Sequence, residues 1–190
     1  CQGLFLTNNV VFIAINGLVG LQLAPLGWMA TLPVTGYVVG SALSAGLVAK
    51  TQSHFGRKRS FQFGLVIAAL SAALCAYAAV TKNFWLLVAA TVVAGYYNAN
   101  AALYRFAGPE LVAPEHKERA ISLVLAGGII GAFAGPNLAN ATRSMLDVPF
   151  AAAYLSLVIV ALLSLAVLSS IRFPQHHAPR AGATSGRPLL

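Results

Sequence analysis

Long uncharged stretches divide the chain into segments that can cross a membrane. No charged residue occurs before Lys50. Later uncharged runs cover 60–81, 83–104, 120–142 and 148–171. A transmembrane helix needs about 20 mainly apolar residues, so the first run has room for two helices, with a turn at 25–28. The pattern predicts six membrane-spanning helices, called spans 1 to 6, near 3–24, 29–52, 60–80, 84–107, 119–145 and 149–171.

The composition supports an all-α membrane protein. Apolar residues (AVILMFWYC) make up 58 % of the chain and charged residues only 8 %, whereas a soluble domain carries about 25 % charged residues. The runs are too continuous, and too poor in period-2 alternation, for barrel strands. The net charge is +8, but the charges are sparse, and a nucleic-acid-binding face needs dense basic residues. We therefore expect contact with membrane lipid and no nucleic-acid partner.

The basic residues predict the orientation in the membrane, because Lys and Arg collect in cytoplasmic loops. Three basic residues at 57–59 lie between spans 2 and 3, and Lys117 and Arg119 lie between spans 4 and 5. The opposite loops hold only Lys82 and Arg143. We expect a multi-pass protein of the inner (plasma) membrane with both termini in the cytoplasm.

The end of the chain differs from the rest in composition. Residues 174–190 are rich in Pro, Gly and small polar residues, which is typical of a flexible linker. We therefore predict a six-helix bundle over 1–173 and a cytoplasmic linker over 174–190. The terminal linker and the initial Cys1 favour a fragment of a longer protein. A half-size protein that pairs with itself is the alternative.

Small residues recur at every fourth position in spans 2 and 5. Span 2 carries Gly36 and Gly40, and span 5 carries Gly127, Gly131 and Gly135. Small residues at this spacing line one helix face and let another helix approach closely. Ordinary tight packing explains each stripe alone. Their matched positions also predict two inverted three-helix repeats, spans 1–3 and 4–6, as in many secondary transporters.

Polar residues inside spans 1 and 4 predict a cavity. Asn9 and Asn16 lie seven residues apart on one helix face, as do Asn98 and Arg105. Side-chain amides in hydrocarbon need water, substrate or each other, so we expect the two faces to meet around a substrate cavity. A parallel stripe of aromatic residues would supply its walls, and consists of Tyr97 and Tyr104. Two alternatives stay open. For the asparagines, the alternative is that their amides form hydrogen bonds between helices. For Arg105, it is that the side chain extends to the membrane interface.

Groups typical of enzymes do not form a pattern in this sequence. All four acidic residues fall in predicted loops. The sequence has no Gly-x-Ser-x-Gly nucleophile site, no His/Glu metal spacing and no phosphate-binding glycine loop. We therefore predict that the protein is not an enzyme and needs no cofactor or metal.

The loop between spans 2 and 3 resembles a signature of the major facilitator superfamily of transporters. In the segment AKTQSHFGRKRS (49–60), Gly56, Arg57 and Lys58 match the pattern Gly-x-x-x-Asp-Arg-x-Gly-Arg-Arg. The Asp and the first Arg of that pattern are Ser53 and His54 here. The resemblance implies a gating role for this loop.

Two further segments carry the same resemblance. In span 5, GIIGAFAGP is similar to the Gly-x-x-x-Gly-Pro core of the family's antiporter motif, through Gly131, Gly135 and Pro136. The stretch before span 5 resembles the family's loop between helices 4 and 5, with Arg119 and Glu110 in its charge network. The Arg that proton antiporters carry in helix 4 would fall at position 91, which is Thr here.

The resemblance implies the amino-terminal half of a twelve-helix transporter. A secondary active transporter would move a small solute by alternating access of two six-helix halves around a central site. The span 5 motif favours efflux over uptake. The partner would be the missing second half or a second copy of this chain. A non-transporting membrane subunit or scaffold is the alternative function.

Overall fold

The computed structural model describes residues 2–107, 112, 114–142 and 150–171. All regular structure in these residues is helical. The helices are α1 (Gln2–Leu23), α2 (Leu32–Val80), α3 (Phe84–Ala101), α4 (Tyr104–Ala107), α5 (Lys117–Thr142) and α6 (Ala151–Ser170). Short 3₁₀ turns occupy Gly27–Thr31 and Pro114–His116. The predicted linker at 174–190 lies outside the described residues.

The described residues contain five helical stretches that are long and apolar enough to cross a membrane. Helices α1, α5 and α6 correspond to spans 1, 5 and 6, and α3 with α4 corresponds to span 4. The stretch Gly27–Val80 contains both span 2 and span 3. At about 1.5 Å per residue, its 54 residues exceed twice the thickness of a hydrocarbon core of roughly 30 Å.

Spans 2 and 3 are joined within α2 rather than by an irregular loop. The one residue of α2 with non-helical backbone angles is Gly56, at φ 79° and ψ 163°. Glycine adopts this conformation readily, whereas a residue with a Cβ rarely does. The break between spans 2 and 3 is therefore confined to Gly56, and helical backbone angles extend over 53–55 and 57–59, which the sequence placed between the two spans. We call 32–55 the first segment of α2 and 57–80 the second segment.

The chain reverses direction at Gly56, as the contacts with α3 show. Along the first segment, Gly36 lies beside Thr91 and Gln52 beside Asn100, so this segment runs parallel to α3. Along the second segment, Ser60 lies beside Asn100. The buried residues between 72 and 79 pack in one core cluster with Leu87 and Ala90, near the start of α3. The two segments therefore form a helical hairpin, with α3 packed against both.

Span 4 is interrupted near its end. Asn83 caps the start of α3, where its Oδ1 accepts a hydrogen bond of 3.1 Å from the backbone N–H of Leu86. After Ala101 the chain turns, and the N–H of Leu103 bonds to the carbonyl of Asn100 at 3.2 Å. The single turn of α4 follows. The predicted helix over 84–107 is thus two helices in the structure.

The buried side chains form two clusters around α1. One cluster joins α1, α2, α3 and α6 and includes Phe12, Tyr37 and Tyr154. The other includes Phe5 of α1 and Phe61 of α2. Helix α5 contributes few buried residues, of which three are glycines, and exposes large apolar side chains such as Ile130 and Phe133. It therefore packs on α1 mainly through its backbone.

Candidate functional site

Two of the predicted polar residues, Asn9 and Asn98, each form a hydrogen bond with a side chain of the first segment of α2. The hydroxyl of Tyr37 donates to Oδ1 of Asn9 at 3.0 Å. Nδ2 of Asn98 donates to Oγ of Ser41 at 3.3 Å. Tyr37 and Ser41 are one helical turn apart, so they lie on the same face of α2. These four residues form two hydrogen-bonded pairs across α1, α2 and α3, which we call the amide row.

The amide row has polar atoms that its own hydrogen bonds do not use. Asn9, Ser41 and Asn98 are half-buried rather than fully enclosed. Within the described residues, Nδ2 of Asn9 and Oδ1 of Asn98 make no hydrogen bond. A carboxamide offers both donor and acceptor groups, so the row has one donor and one acceptor free for a further polar group.

Asn16 lies in the packed interior and not on the cavity wall that we expected. It is fully buried, its Nδ2 donates to the carbonyl of Phe12 at 2.8 Å, and its Oδ1 accepts from the hydroxyl of Tyr154 in α6 at 2.9 Å. Asn16 therefore does not face Asn98. Its contacts match the alternative that the sequence left open, an interhelical hydrogen bond, here between α1 and α6.

The predicted aromatic walls belong to the packed core. Tyr97 and Tyr104 are 2 % and 6 % exposed. Their rings meet Phe5 edge to face at 5.8 Å and 6.1 Å, and Tyr104 also meets Phe61 at 4.8 Å. The hydroxyl of Tyr97 is buried without a hydrogen-bond partner within the described part of the chain. These rings therefore pack in the second core cluster of the described residues.

Arg105 is separated from Asn98 by the break between α3 and α4. Its side chain is exposed, and its guanidinium carbon lies 4.9 Å from the ring centre of Phe106. The seven-residue spacing that would place Arg105 and Asn98 on one face requires a continuous helix. The turn at 102–103 interrupts that helix, although Tyr97 and Tyr104, which have the same spacing, both contact Phe5.

The glycine stripes of α2 and α5 approach two different helices. A Cβ at Gly40 would collide with the carbonyl of Val92 in α3, and one at Gly36 would lie 3.1 Å from Oγ1 of Thr91. The α2 stripe therefore lies against α3 through its backbone.

The α5 stripe lies against α1. A Cβ at Gly131 would collide with the carbonyl of Gly3, and one at Gly135 would lie 3.0 Å from Cβ of Val10. A Cβ at Gly127 would meet no atom of the described residues within 4 Å. Pro136, inside α5, lines a crevice with Ile15 of α1 and Phe150.

The predicted gating loop is the turn of α2. Gly56 supplies the positive φ, and Arg57 is half-buried beside it. Nζ of Lys58 donates to the carbonyls of Ser169 and Ile171 at 2.9 Å and 2.6 Å. A cation at a helix C-terminus is favourable, so Lys58 holds this turn on the end of α6. Arg119 is exposed in the first turns of α5, and Glu110 lies outside the described residues.

A buried polar network beside this turn was not predicted as a site. Thr51, Gln52 and Ser60 of α2 bond to each other or to Tyr96 and Asn100 of α3, and we call these five residues the turn network. Asn100 is 1 % exposed. An amide two residues from Asn98 in an apolar helix was the available signal, but the sequence does not show toward which neighbour it points.

The comparisons with known proteins agree with this architecture. The family profile of the Major Facilitator Superfamily matches residues 1–190. The riboflavin transporter RfnT of Brucella anthropi is 33 % identical over 190 residues, which is 99 % of this chain and 48 % of the transporter. The MFS-type transporters YdeG and YddS of Bacillus subtilis are 28 % and 29 % identical over 67 % and 63 % of this chain, and over 30 % and 27 % of their own lengths. No solved structure matches the chain. The chain thus spans about half or less of the relatives it matches.

Proposed function

Because the chain belongs to the Major Facilitator Superfamily, we propose that it forms part of a secondary active transporter that moves a small solute by alternating access. The match over the whole chain carries the proposal, together with the similarity to a named transporter over 99 % of it. The amide row gives this half of the transporter a set of uncharged polar groups for the solute.

We further propose that a second six-helix unit completes the site, either later in the same polypeptide or in a second copy. The chain covers 48 % of the riboflavin transporter that it resembles. Helix α5 exposes Ile129, Ile130 and Phe133, which supports contact of this helix with lipid or with a second unit.

The glycine contacts support the proposal of two inverted three-helix repeats. In that arrangement α1 corresponds to α3, and the first segment of α2 corresponds to α5. Gly40 of α2 approaches Val92 of α3 through the backbone, and Gly131 of α5 approaches Gly3 of α1 in the same way. The two contacts join corresponding pairs of helices.

The first solute to test is riboflavin, after the relative from Brucella anthropi. The full-length protein, reconstituted into liposomes, is expected to carry riboflavin down an imposed gradient faster than protein-free liposomes do. Measuring flux in both directions tests the efflux that the α5 motif supports. Binding of riboflavin without flux would contradict transport and favour a non-transporting membrane subunit.

The orientation is a separate proposal, with both termini and the turn at Gly56 in the cytoplasm. A cysteine at the exposed His54 should react with an impermeant thiol reagent in inside-out vesicles and not in intact cells. Labelling in intact cells would contradict this orientation. Cys75 is buried, and labelling of the unsubstituted protein gives the background signal of this experiment.

A further inference from the structure

We propose that Asn100 is a positioning residue, which fixes the turn of α2 against α3 and so sets the rate at which the transporter changes conformation. The turn carries Arg57 and Lys58, and Lys58 binds the end of α6. A group that fixes the turn therefore links α3, α2 and α6. The transport part of this inference rests on the proposed function, whereas the positioning part does not.

The carboxamide of Asn100 joins the two sides of the turn. Its Nδ2 donates to the carbonyl of Ser60 at 2.6 Å, after the break at Gly56. Its Oδ1 accepts from Nε2 of Gln52 at 3.1 Å, before the break. Oγ of Ser60 lies 3.4 Å from the same Oδ1. One side chain thus bonds to both segments of the hairpin.

A second contact lies one helical turn from Asn100 on α3 and reinforces the first contact. Oγ1 of Thr51 lies 2.8 Å from the hydroxyl of Tyr96 and 3.2 Å from Oγ of Ser60. Tyr96 and Asn100 are four residues apart, so they share one face of α3. The turn network therefore holds residues from both sides of Gly56 at two points on α3.

Gly64 provides the space that Asn100 occupies. A Cβ at position 64 would lie 2.8 Å from Nδ2 of Asn100. The amide thus reaches the Ser60 carbonyl over a position that has no side chain. Only a group with both a donor and an acceptor satisfies these contacts. Leucine at position 100 would supply neither, and aspartate would place a negatively charged acceptor against the Ser60 carbonyl.

The experiment measures the turn directly, by tryptic cleavage after residues 57–59 in the detergent-solubilised full-length protein, with fragments identified by mass spectrometry. Asn100→Leu is expected to raise the cleavage rate about fivefold or more, because local opening becomes easier when buried hydrogen bonds are lost. The matched control is Asn137→Leu, since Asn137 is exposed and, within the described residues, bonds only to the carbonyl of Phe133 in its own helix. Equal cleavage in the two variants would overturn the proposal.

A double-mutant cycle keeps the test decisive where Asn100→Leu does not fold. Gly64→Ala should displace the amide and raise cleavage, whereas Gly46→Ala should not, because a Cβ at Gly46 meets nothing within 4 Å. In an Asn100→Ala background, Gly64→Ala should have little further effect, because the amide is already gone. Additive effects would show that Gly64 and Asn100 act independently, and would overturn the proposal.

Transport separates positioning from solute binding. In liposomes, Asn100→Leu and Gly64→Ala should lower the maximal rate of riboflavin flux and leave KM unchanged. A raised KM with an unchanged maximal rate would place Asn100 in solute binding and overturn the positioning role. If the wild-type protein carries no riboflavin, that transport proposal fails, and the cleavage rates still decide whether Asn100 fixes the turn.

Discussion

The hydroxyl of Tyr154 in α6 donates a hydrogen bond of 2.9 Å to Oδ1 of Asn16 in α1. Both side chains are fully buried. The bond closes a path from the Phe12 carbonyl through the Asn16 amide to the phenol of Tyr154. Two helices that are far apart in sequence are thus joined by polar groups inside the apolar core.

The first prediction concerns this bond. Tyr154→Phe should lower the free energy of unfolding by about 1 kcal/mol, because the Asn16 oxygen loses its donor in a dry environment. Interhelical bonds in one membrane protein average ~0.6 kcal/mol. Unfolding in sodium dodecyl sulfate measures the change. Tyr77→Phe is the control, since Tyr77 is exposed, and an equal loss in both variants would contradict a specific role for the bond.

The second prediction concerns the glycine contact between α5 and α1. Gly131→Ala should lower the free energy of unfolding by roughly 1–3 kcal/mol, because its Cβ would collide with the backbone of Gly3. Gly127 lies on the same helix, and a Cβ there would meet no atom of the described residues within 4 Å. Gly127→Ala should therefore be neutral or stabilising, since alanine has a higher helix propensity than glycine. Yield of folded protein by gel filtration and resistance to detergent unfolding measure both. Equal behaviour would mean that α5 does not approach α1 at Gly131.

The positions of the helices along the chain were predictable from the sequence, but the helices against which each one packs were not. Runs of apolar residues between charges located the five stretches of the described residues that are long and apolar enough to cross a membrane. The turn of α2 is shorter than the predicted loop because Gly56 is the one residue of α2 with non-helical backbone angles. A basic polar segment resembles a loop in composition even where its backbone is helical.

Side-chain partners depend on helix rotation, which spacing does not determine. Asn98 and Asn100 are two residues apart, so they point about 200° apart around α3. Asn98 bonds to Ser41 and Asn100 to Ser60, on different segments of α2. Likewise Asn9 and Asn16 share a spacing of seven, yet they bond to α2 and α6. The amide row could therefore be predicted in part, and the turn network could not.

The third prediction concerns Lys58 on the end of α6. Lys58→Met should lower the free energy of unfolding by about 0.3–1 kcal/mol, because the carbonyls of Ser169 and Ile171 lose a cationic donor. The loss should shrink at high salt, where the charge is screened in the wild type as well. Arg59→Met is the control, since Arg59 is exposed. A salt-independent loss would show that packing of the lysine stem, and not its charge, matters.

The last prediction separates the amide row from the core amide. Asn9→Ala and Asn98→Ala should raise KM for riboflavin, because each removes half-buried polar groups that the proposed solute would contact. Asn16→Ala should instead lower the free energy of unfolding by about 1–3 kcal/mol and leave KM unchanged, because it leaves the buried Tyr154 hydroxyl unpaired. The three variants remove the same group from different surroundings, so they control for one another. Flux at graded riboflavin concentrations gives KM, and detergent unfolding gives stability. A raised KM for Asn16→Ala, or unchanged KM for both amide-row variants, would show that the amide row is not where the proposed transporter contacts its solute.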